Sequence, residues 1–549
     1  MSFGQQSTAG PTVEHTQFAR RRLLVAALVL GVVVRVVVFV LREHIGYGDM
    51  GQYTRGALTL LAGEVPDMRP GLAPLIALPI VLGVPFDRAA QTMTLFFGSL
   101  LLLLLYVMVR RLYGTGAALG TLLLAAVNHH LISASTNGMA EAPVLCAVVG
   151  ALLFVHAGKR TRLAWWHLLA AGLLFGYAFS IRSENMIHLA GVAIAMAVII
   201  RHNRARAAAD IGALVLGFLC IAVAGTLVRG KAPTMASGVD MGTPNALLQY
   251  DPTVTQDPEA FREAVRQRMP EEWLEEAGAE VPELTWRLQA RRYVHNLHAQ
   301  IADVLPQTVD LGLWPLVGLG LFGATWAVGR WKTELIFASL WLFFFTAAPL
   351  AQLVHPRHLL IYLVIALCWA GAGVVNFGRW YSRTTQGGEI VPRAVRKGAI
   401  VALVFAGLFQ LKPDLDFIQA AFNGEIATEE KAAGHWLRDY ARPDDLVLER
   451  KTTVTFYSGL RGDETPYTSY ERVIEYARTK DVRFIVVSSR NLMAYRPQLS
   501  RLLDDESTWE ADLKLVHEAR NRHNADFFIR IFEVRDPGQP DAPDPQSGE

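Results

Sequence analysis

Charge is scarce in this sequence. Only 19% of its 549 residues are Asp, Glu, Lys or Arg and 52% are hydrophobic, whereas soluble domains carry roughly 25% charged residues. That balance argues against a plain cytosolic protein. Neither sign dominates: 52 basic against 50 acidic residues leave a formal net charge of +2. There is therefore neither the basic excess of a nucleic-acid binder nor an acidic tail. Cysteine is nearly absent. Cys146, Cys220 and Cys368 each sit inside an apolar run without metal or redox spacing, so they read as small core residues and no disulfide framework exists. A Gly-rich Walker loop, an HExxH pair, a GxSxG elbow and a Cys/His zinc pattern are also missing. Those absences disfavour a nucleotide-driven pump and a membrane metalloprotease of the usual pattern.

What the sequence has instead is long apolar runs, and a helical membrane span needs about 20 such residues. Runs of that character cover 23–41, 91–109, 115–134, 139–157, 164–181, 186–200, 210–228, 311–328, 334–353, 357–377 and 398–411, eleven in all. A twelfth, 71–86, holds Pro74, Pro79 and Pro85. Proline removes an amide donor and breaks the helix ladder, so this run reads as a broken or re-entrant segment.

The positive-inside rule supports that choice. With 71–86 not spanning, alternate connections collect the basic residues: Arg20 to Arg22, Arg110 and Arg111, Lys159 to Arg162, Arg201 to Arg206, Arg330 and Lys332, and Arg379 to Lys397. The expectation is a mainly α, polytopic protein of about eleven transmembrane helices, N-terminus cytoplasmic, in the cell (inner or plasma) membrane. The first apolar stretch lacks a small-residue cleavage site and is expected to stay as the first helix.

The domain reading follows from this. Residues 1–19 are polar and expected to be disordered. Residues 20–412 form the transmembrane domain, with outward loops 42–90 and 229–310. The second loop contains two helical stretches, PEAFREAVRQRMPEEWLEEAG and TWRLQARRYVHNL. Residues 413–535 alternate helical patterns (EEKAAGHWLRDYA, SYERVIEYARTK) with β-like runs (LVLE, VTFYS, RFIVVSS, FFIRIFEV), as in a small α/β domain outside the cytoplasm. Residues 536–549 are a Pro/Asp-rich tail without core-forming residues.

Several residues are candidates for chemistry. Asp49 lies past the first helix among Gly46, Gly48 and Gly51, with Tyr53 following. Such a carboxylate suits deprotonation of a hydroxyl held beside it; the alternative is a cap for a helix beginning near Gln52. Glu141 opens the fourth span, where an ionisable group is either functional or favoured by the helix dipole. His129 and His130 are adjacent, a poor metal-ligand spacing on a helix. Arg182 and Arg357 fall at outward helix ends, against the topology rule, with His355 and His358 flanking Arg357, and Arg69 stands beside the broken segment. Each arginine alone also fits a side chain reaching toward lipid headgroups. Their shared side points to an anion such as a lipid-linked phosphate. Arg35 lies mid-span and is expected to face a neighbouring helix.

Taken in order, these pieces resemble the glycosyltransferase-C superfamily, specifically the group related to protein O-mannosyltransferases and the lipid A aminoarabinose transferase. The resemblance rests on the Asp49/Tyr53 loop, Arg69-Pro70, LYVMVRRLYG, the Glu141 segment, GLLFGYAFSIRSEN, HPRHLLIYL and WLRDYARPDDLVL. It covers about residues 20–530. It implies a polyprenyl-phosphate sugar donor, a lipid, glycan or protein acceptor, and work on the extracytoplasmic face among membrane lipids, with no nucleic acid. It also implies Asp49 as general base. Arg69, Arg182 and Arg357 would hold the donor phosphate, with Glu141 orienting substrate and Tyr53 and His355 lining the site. No cofactor is assigned, and a divalent metal stays open. The chain departs from the family pattern twice. Met50 follows Asp49 where a second acidic residue is common, and Gly71 replaces the second proline of the basic-Pro-Pro turn.

The physics is coherent beside the resemblance. A lipid-phosphate sugar already carries its leaving group, and water-poor surroundings strengthen arginine–phosphate contacts. One carboxylate opposite then suffices for an inverting displacement. A transporter or flippase of a lipid-linked or anionic solute is the rival reading, but it would place ionisable residues near the bilayer midplane. A binding module on a membrane anchor would need only one helix.

Overall fold

Each of the eleven apolar runs coincides with a helix or a helix pair over its described residues. The computed structural model describes residues 11–42, 48–66, 71–158, 164–229, 286–323, 331–346, 356–422, 427–465, 470–490, 497–503, 509–522 and 524–535. The helical part comprises α1 (Pro11–Leu41), α2 (Gly48–Leu61), α3 (Ala73–Val81), α4 (Phe86–Tyr113), α5 (Thr115–Val127), α6 (His129–Thr136), α7 (Glu141–Gly158), α8 (Ala164–Ile181), α9 (Asn185–Ile199) and α10 (Arg204–Arg229). It continues with α11 (Trp286–Ala299), α12 (Leu305–Thr308), α13 (Trp314–Gly323), α14 (Trp331–Phe345), α15 (Leu360–Thr385) and α16 (Pro392–Phe422). The C-terminal part adds α17 (Thr428–Tyr440), β1 (Leu446–Glu449), α18 (Thr453–Ser458), β2 (Arg461–Glu464), α19 (Tyr470–Thr479), β3 (Val482–Ser488), β4 (Leu513–Arg520) and β5 (Phe528–Val534).

The expected count of spans is met only in part. By length and composition four helices among the described residues suffice to cross a membrane: Arg21–Leu41, Phe86–Tyr113, Arg204–Gly225 and Pro356–Thr385. The number rises to six if each of two bent pairs is one span. Helices α7, α8 and α9 have 15 to 18 residues, which at 1.5 Å per residue rise about 22–27 Å, less than the ~30 Å hydrocarbon core. The 71–86 run becomes α3, nine residues with Pro79 inside, only about 14 Å long. Gly83 at φ 89° ends it before α4 begins.

Other boundaries also differ from the sequence reading. Helix α1 begins at Pro11, so residues 11–19 are helical rather than disordered. A proline at the first helical position loses no ladder bond. Helix α16 continues through Pro413 to Phe422, past the expected boundary at 412/413. The helical stretch expected at PEAFREAVRQRMPEEWLEEAG lies outside the described residues. Cys146 and Cys368 are buried, but Cys220 is exposed and not a core residue.

The run 115–134 is bent by 62° at Asn128 into α5 and α6. Asn128 caps α6 by accepting the Leu131 amide at 3.2 Å. The break leaves carbonyls at the end of α5 without ladder donors, and Arg35 supplies them. Fully buried in α1, it donates from Nη2 to Ala125 O (3.1 Å), from Nη1 to Ala126 O (3.0 Å) and from Nε to Ser135 Oγ (3.0 Å). The mid-span arginine is thus a staple across the bend. Helices α8 and α10 pack backbone to backbone: a side chain at Gly172 would overlap the Leu214 carbonyl, and one at Gly176 would meet Phe218 O at 2.8 Å. This is the small-xxx-small arrangement of membrane helices. Helix α15 is central, its apolar window 89% buried, while that of α1 is 22% buried. Val25, Val29 and Val33 on α1, and Ile400, Val404 and Leu408 on α16, face outward.

The C-terminal part folds around a five-stranded mixed sheet of order β2-β1-β3-β5-β4. Strand β1 pairs parallel with β2 and β3, and β5 pairs antiparallel with β3 and β4. VTFYS, expected as a strand, is helix α18. Glu449 explains the difference, because its carboxylate accepts the Val454 and Thr455 amides (both 3.0 Å) and the Thr455 hydroxyl. It caps a helix start from the strand before it, and Gly459 in the left-handed region ends the helix.

The two parts are joined tightly. Phe456 and Tyr457 of α18 belong to the same apolar core as the helical bundle. Phe456 meets the Phe86 ring edge-on at 5.3 Å, Lys431 pairs with Asp87 at 3.4 Å, and Arg55 donates to Thr455 Oγ1 at 3.2 Å.

Candidate functional site

Four elements bring their charged ends to one place. Asp49 is the second residue of α2, not a loop residue ahead of a helix starting near Gln52. A carboxylate in the first turn is favoured by the unsatisfied amides there. Its Oδ2 lies 3.7 Å from Arg357 Nη1, each side chain about one-third exposed (36% and 37%). Arg357 sits in a 3₁₀ turn, Pro356–Leu359, that leads into α15. Arg182 follows the last residue of α8 and Glu141 opens α7.

Arg182 is the hub. It is buried, with Nη1 3.5 Å from Glu141 Oε1 and Nε 3.0 Å from Glu184 Oε1. Tyr53 and Asp49 also lie within its electrostatic reach. Glu141 depends on it: both carboxylate oxygens are buried and make no hydrogen bond among the described residues. Tyr53 is buried on the same α2 face as Asp49, one helical turn on.

His358 links the two arginines. Its Nδ1 is 3.1 Å from Arg182 Nη2 and its Nε2 is 3.2 Å from Arg357 Nε. A neutral imidazole has one lone pair and one N–H, so only one guanidinium can donate to it. The second contact sets two donors face to face. An acceptor-only group entering between Arg182, Arg357 and His358 resolves that conflict, and phosphate oxygens are such acceptors.

The sequence-predicted residues divide clearly. Asp49, Tyr53, Glu141, Arg182 and Arg357 converge. Arg69 and His355 lie outside the described residues. Next to Arg69-Pro70, Gly71 is pinned against the end of α8: its carbonyl accepts the Tyr177 hydroxyl at 2.7 Å and its amide donates to Ser180 O at 3.4 Å. A side chain at Gly71 would overlap Ser180 Oγ, and a proline there would also lose the amide bond to Ser180 O. Met50 is fully buried, and its sulfur packs against Gly138, so position 50 points into the core and adds no carboxylate beside Asp49. Among the described residues no three His, Cys, Asp or Glu side chains are grouped to hold a metal ion.

Sequence reasoning gave His358 no role and passed over Glu184 and Lys451. Glu184 stands two residues after Arg182 in IRSEN, a signal that was readable. Lys451, between β1 and α18, lies within electrostatic reach of Asp49 and Arg357, some 400 residues from Asp49 in sequence, and nothing local marks it.

Residues 70–228 match the family described as dolichyl-phosphate-mannose-protein mannosyltransferase. No curated protein matches the chain. Archaeal oligosaccharyltransferase AglB from Archaeoglobus fulgidus, solved with an inhibitory peptide and a dolichol-phosphate, superposes with TM-score 0.56 at 11% identity, over 91% of this chain and 73% of that one. ArnT from Cupriavidus metallidurans, solved bound to undecaprenyl phosphate, superposes with TM-score 0.55 at 13% identity, over 92% of this chain and 97% of that one. At such identities the likeness is one of fold. The chain is a multi-pass membrane protein with the glycosyltransferase-C fold. The resemblance to that superfamily read from the sequence is borne out, mannosyltransferase-like over residues 70–228.

Proposed function

We propose that the protein transfers a sugar from a polyprenyl-phosphate donor to an acceptor hydroxyl on the extracytoplasmic face, with inversion at the anomeric carbon. The observation that carries this reading is the convergence of Asp49 with Arg357, Arg182 and His358 at the end of the bundle. A carboxylate and a set of acceptor-seeking cations side by side are the two halves of such a reaction. The acceptor oxygen attacks the anomeric carbon, the bond from that carbon to the phosphate oxygen breaks, and polyprenyl phosphate leaves. Asp49 takes the acceptor proton. The arginines, Arg69 with them, stabilise charge growing on the phosphate. Glu141 keeps Arg182 in place and orients substrate, and Tyr53 and His355 line the site. The eleven apolar runs cross the bilayer, the shorter helices completed by their flanking residues, with 413–535 outside the cytoplasm. ArnT is bound to undecaprenyl phosphate and AglB to a dolichol-phosphate, which supports a lipid-phosphate donor here.

The test is a donor panel with the purified protein in lipid nanodiscs, reading release of polyprenyl phosphate. Turnover is expected with polyprenyl-phosphate sugars and not with nucleotide sugars. Turnover with nucleotide sugars alone would refute the reading.

A further inference from the structure

We propose that Lys451, carried by the C-terminal α/β part, is an anion-binding residue of the membrane site that holds the donor phosphate together with Arg357. The inference rests on the proposed lipid-phosphate donor and extends the site to a residue more than 400 positions from Asp49 in sequence.

The loop bearing Lys451 is fixed against the helix that bears Asp49. Helix α18 begins at Thr453 and docks on α2, where the glycine at position 51 allows close approach: a Cβ there would stand 3.3 Å from Thr452 O and 3.3 Å from Phe456 Cβ. Phe456 and Tyr457 anchor the loop in the bundle core, and Arg55 holds Thr455. The Thr453 amide closes a tight turn onto the Lys451 carbonyl at 2.8 Å. Lys451 is thus one residue from a backbone contact with α2, and its charge acts on both Asp49 and Arg357.

The ammonium itself is unengaged. Lys451 is half-buried and makes no side-chain hydrogen bond or ion pair among the described residues. Burial pulls its pKa below the ordinary lysine value; the Asp49 and Glu430 carboxylates raise it, and the Arg450 and Arg357 guanidiniums lower it. Glu430 is itself pushed upward by burial and by Glu429, which weakens it as a counter-ion. The ammonium is partly desolvated, and neither carboxylate gives it a hydrogen bond among the described residues, so its N–H groups are open to an anion. Phosphate oxygens at Arg357 supply that anion, and Lys451 gains a charge-assisted bond when they do. The site is then complete only with the C-terminal part docked.

The probe is undecaprenyl phosphate, with undecaprenol as the phosphate-free control, titrated against full-length protein in nanodiscs. Losing one charge-assisted contact at a half-buried position should weaken undecaprenyl phosphate binding about tenfold in Lys451→Gln. Undecaprenol binding should be unchanged, and Lys451→Arg should stay close to wild type. Lys451→Met keeps the aliphatic stem and should match Lys451→Gln, so a packing defect in one neutral variant does not decide the result. If the neutral variants bind as wild type while Arg357→Gln is weakened, the Lys451 proposal falls and the donor reading stands. If Lys451→Arg is as weak as Lys451→Gln, the role is packing rather than charge, and the proposal falls. If wild type does not distinguish undecaprenyl phosphate from undecaprenol, both fall.

Discussion

Replacing Arg182 with Gln should strand Glu141 as a buried, uncompensated charge. Glu141 is 2% exposed at its side chain and makes no hydrogen bond among the described residues, so Arg182 at 3.5 Å is its principal support. At that separation, an effective dielectric of about 20 gives an attraction of about 5 kcal/mol. Breaking a buried pair from one side typically costs about 3–5 kcal/mol. Glu141→Gln should cost less, because Arg182 keeps Glu184 at 3.0 Å and His358 at 3.1 Å. The double variant should recover most of the Arg182→Gln loss. Unfolding free energies of the four proteins in mixed micelles give the coupling, expected at about 2 kcal/mol or more. Additivity within about 0.5 kcal/mol would mean that the two residues do not depend on each other, and the account of the hub would be wrong.

Three further outcomes are expected. Arg357→Gln should lower kcat/KM for the lipid donor by roughly 10- to 150-fold, the worth of one charge-assisted contact; unchanged donor kinetics would remove Arg357 from the phosphate site. Burial pushes Glu449 up to about 8 from its ordinary 4.5. Its contribution to stability is therefore full below about pH 4.5 and lost as pH rises through about 8. Thermal melts of Glu449→Gln should show a flatter pH profile than wild type, and parallel profiles would refute this. Single cysteines at Ser237 and Ser500, in a background without Cys146, Cys220 and Cys368, should react with a membrane-impermeant thiol reagent in spheroplasts. Protection of both until lysis would place the site on the cytoplasmic side.

Much of the fold was legible because apolar runs and helices share a cause. Each run long enough to bury or expose a full apolar face became a helix, and LVLE, RFIVVSS and FFIRIFEV became β1, β3 and β5 because short apolar runs rich in β-branched and aromatic residues suit buried strands. VTFYS failed because the Glu449 carboxylate, a residue outside the run, caps its amides and turns it into α18. Strands β2 (RGDE) and β4 (LKLVHEAR) went unseen, since polar side chains at the sheet margin carry little apolar alternation. Asp49, Glu141, Arg182 and Arg357 were readable as charges at apolar boundaries. Lys451 was not, because only the packing of α18 on Gly51 brings it near Asp49.

The most direct test of the account compares Asp49→Asn with Glu141→Gln in purified protein in lipid, with thermal stability as the fold control. Asp49→Asn keeps the shape of the side chain but cannot accept the acceptor proton. Sugar transfer from the polyprenyl-phosphate donor should fall by about 10²–10⁴-fold, with undecaprenyl phosphate binding retained, and Glu141→Gln should lose less. Near wild-type turnover by Asp49→Asn, with Glu141→Gln inactive and folded, would contradict the assignment of Asp49 as the base.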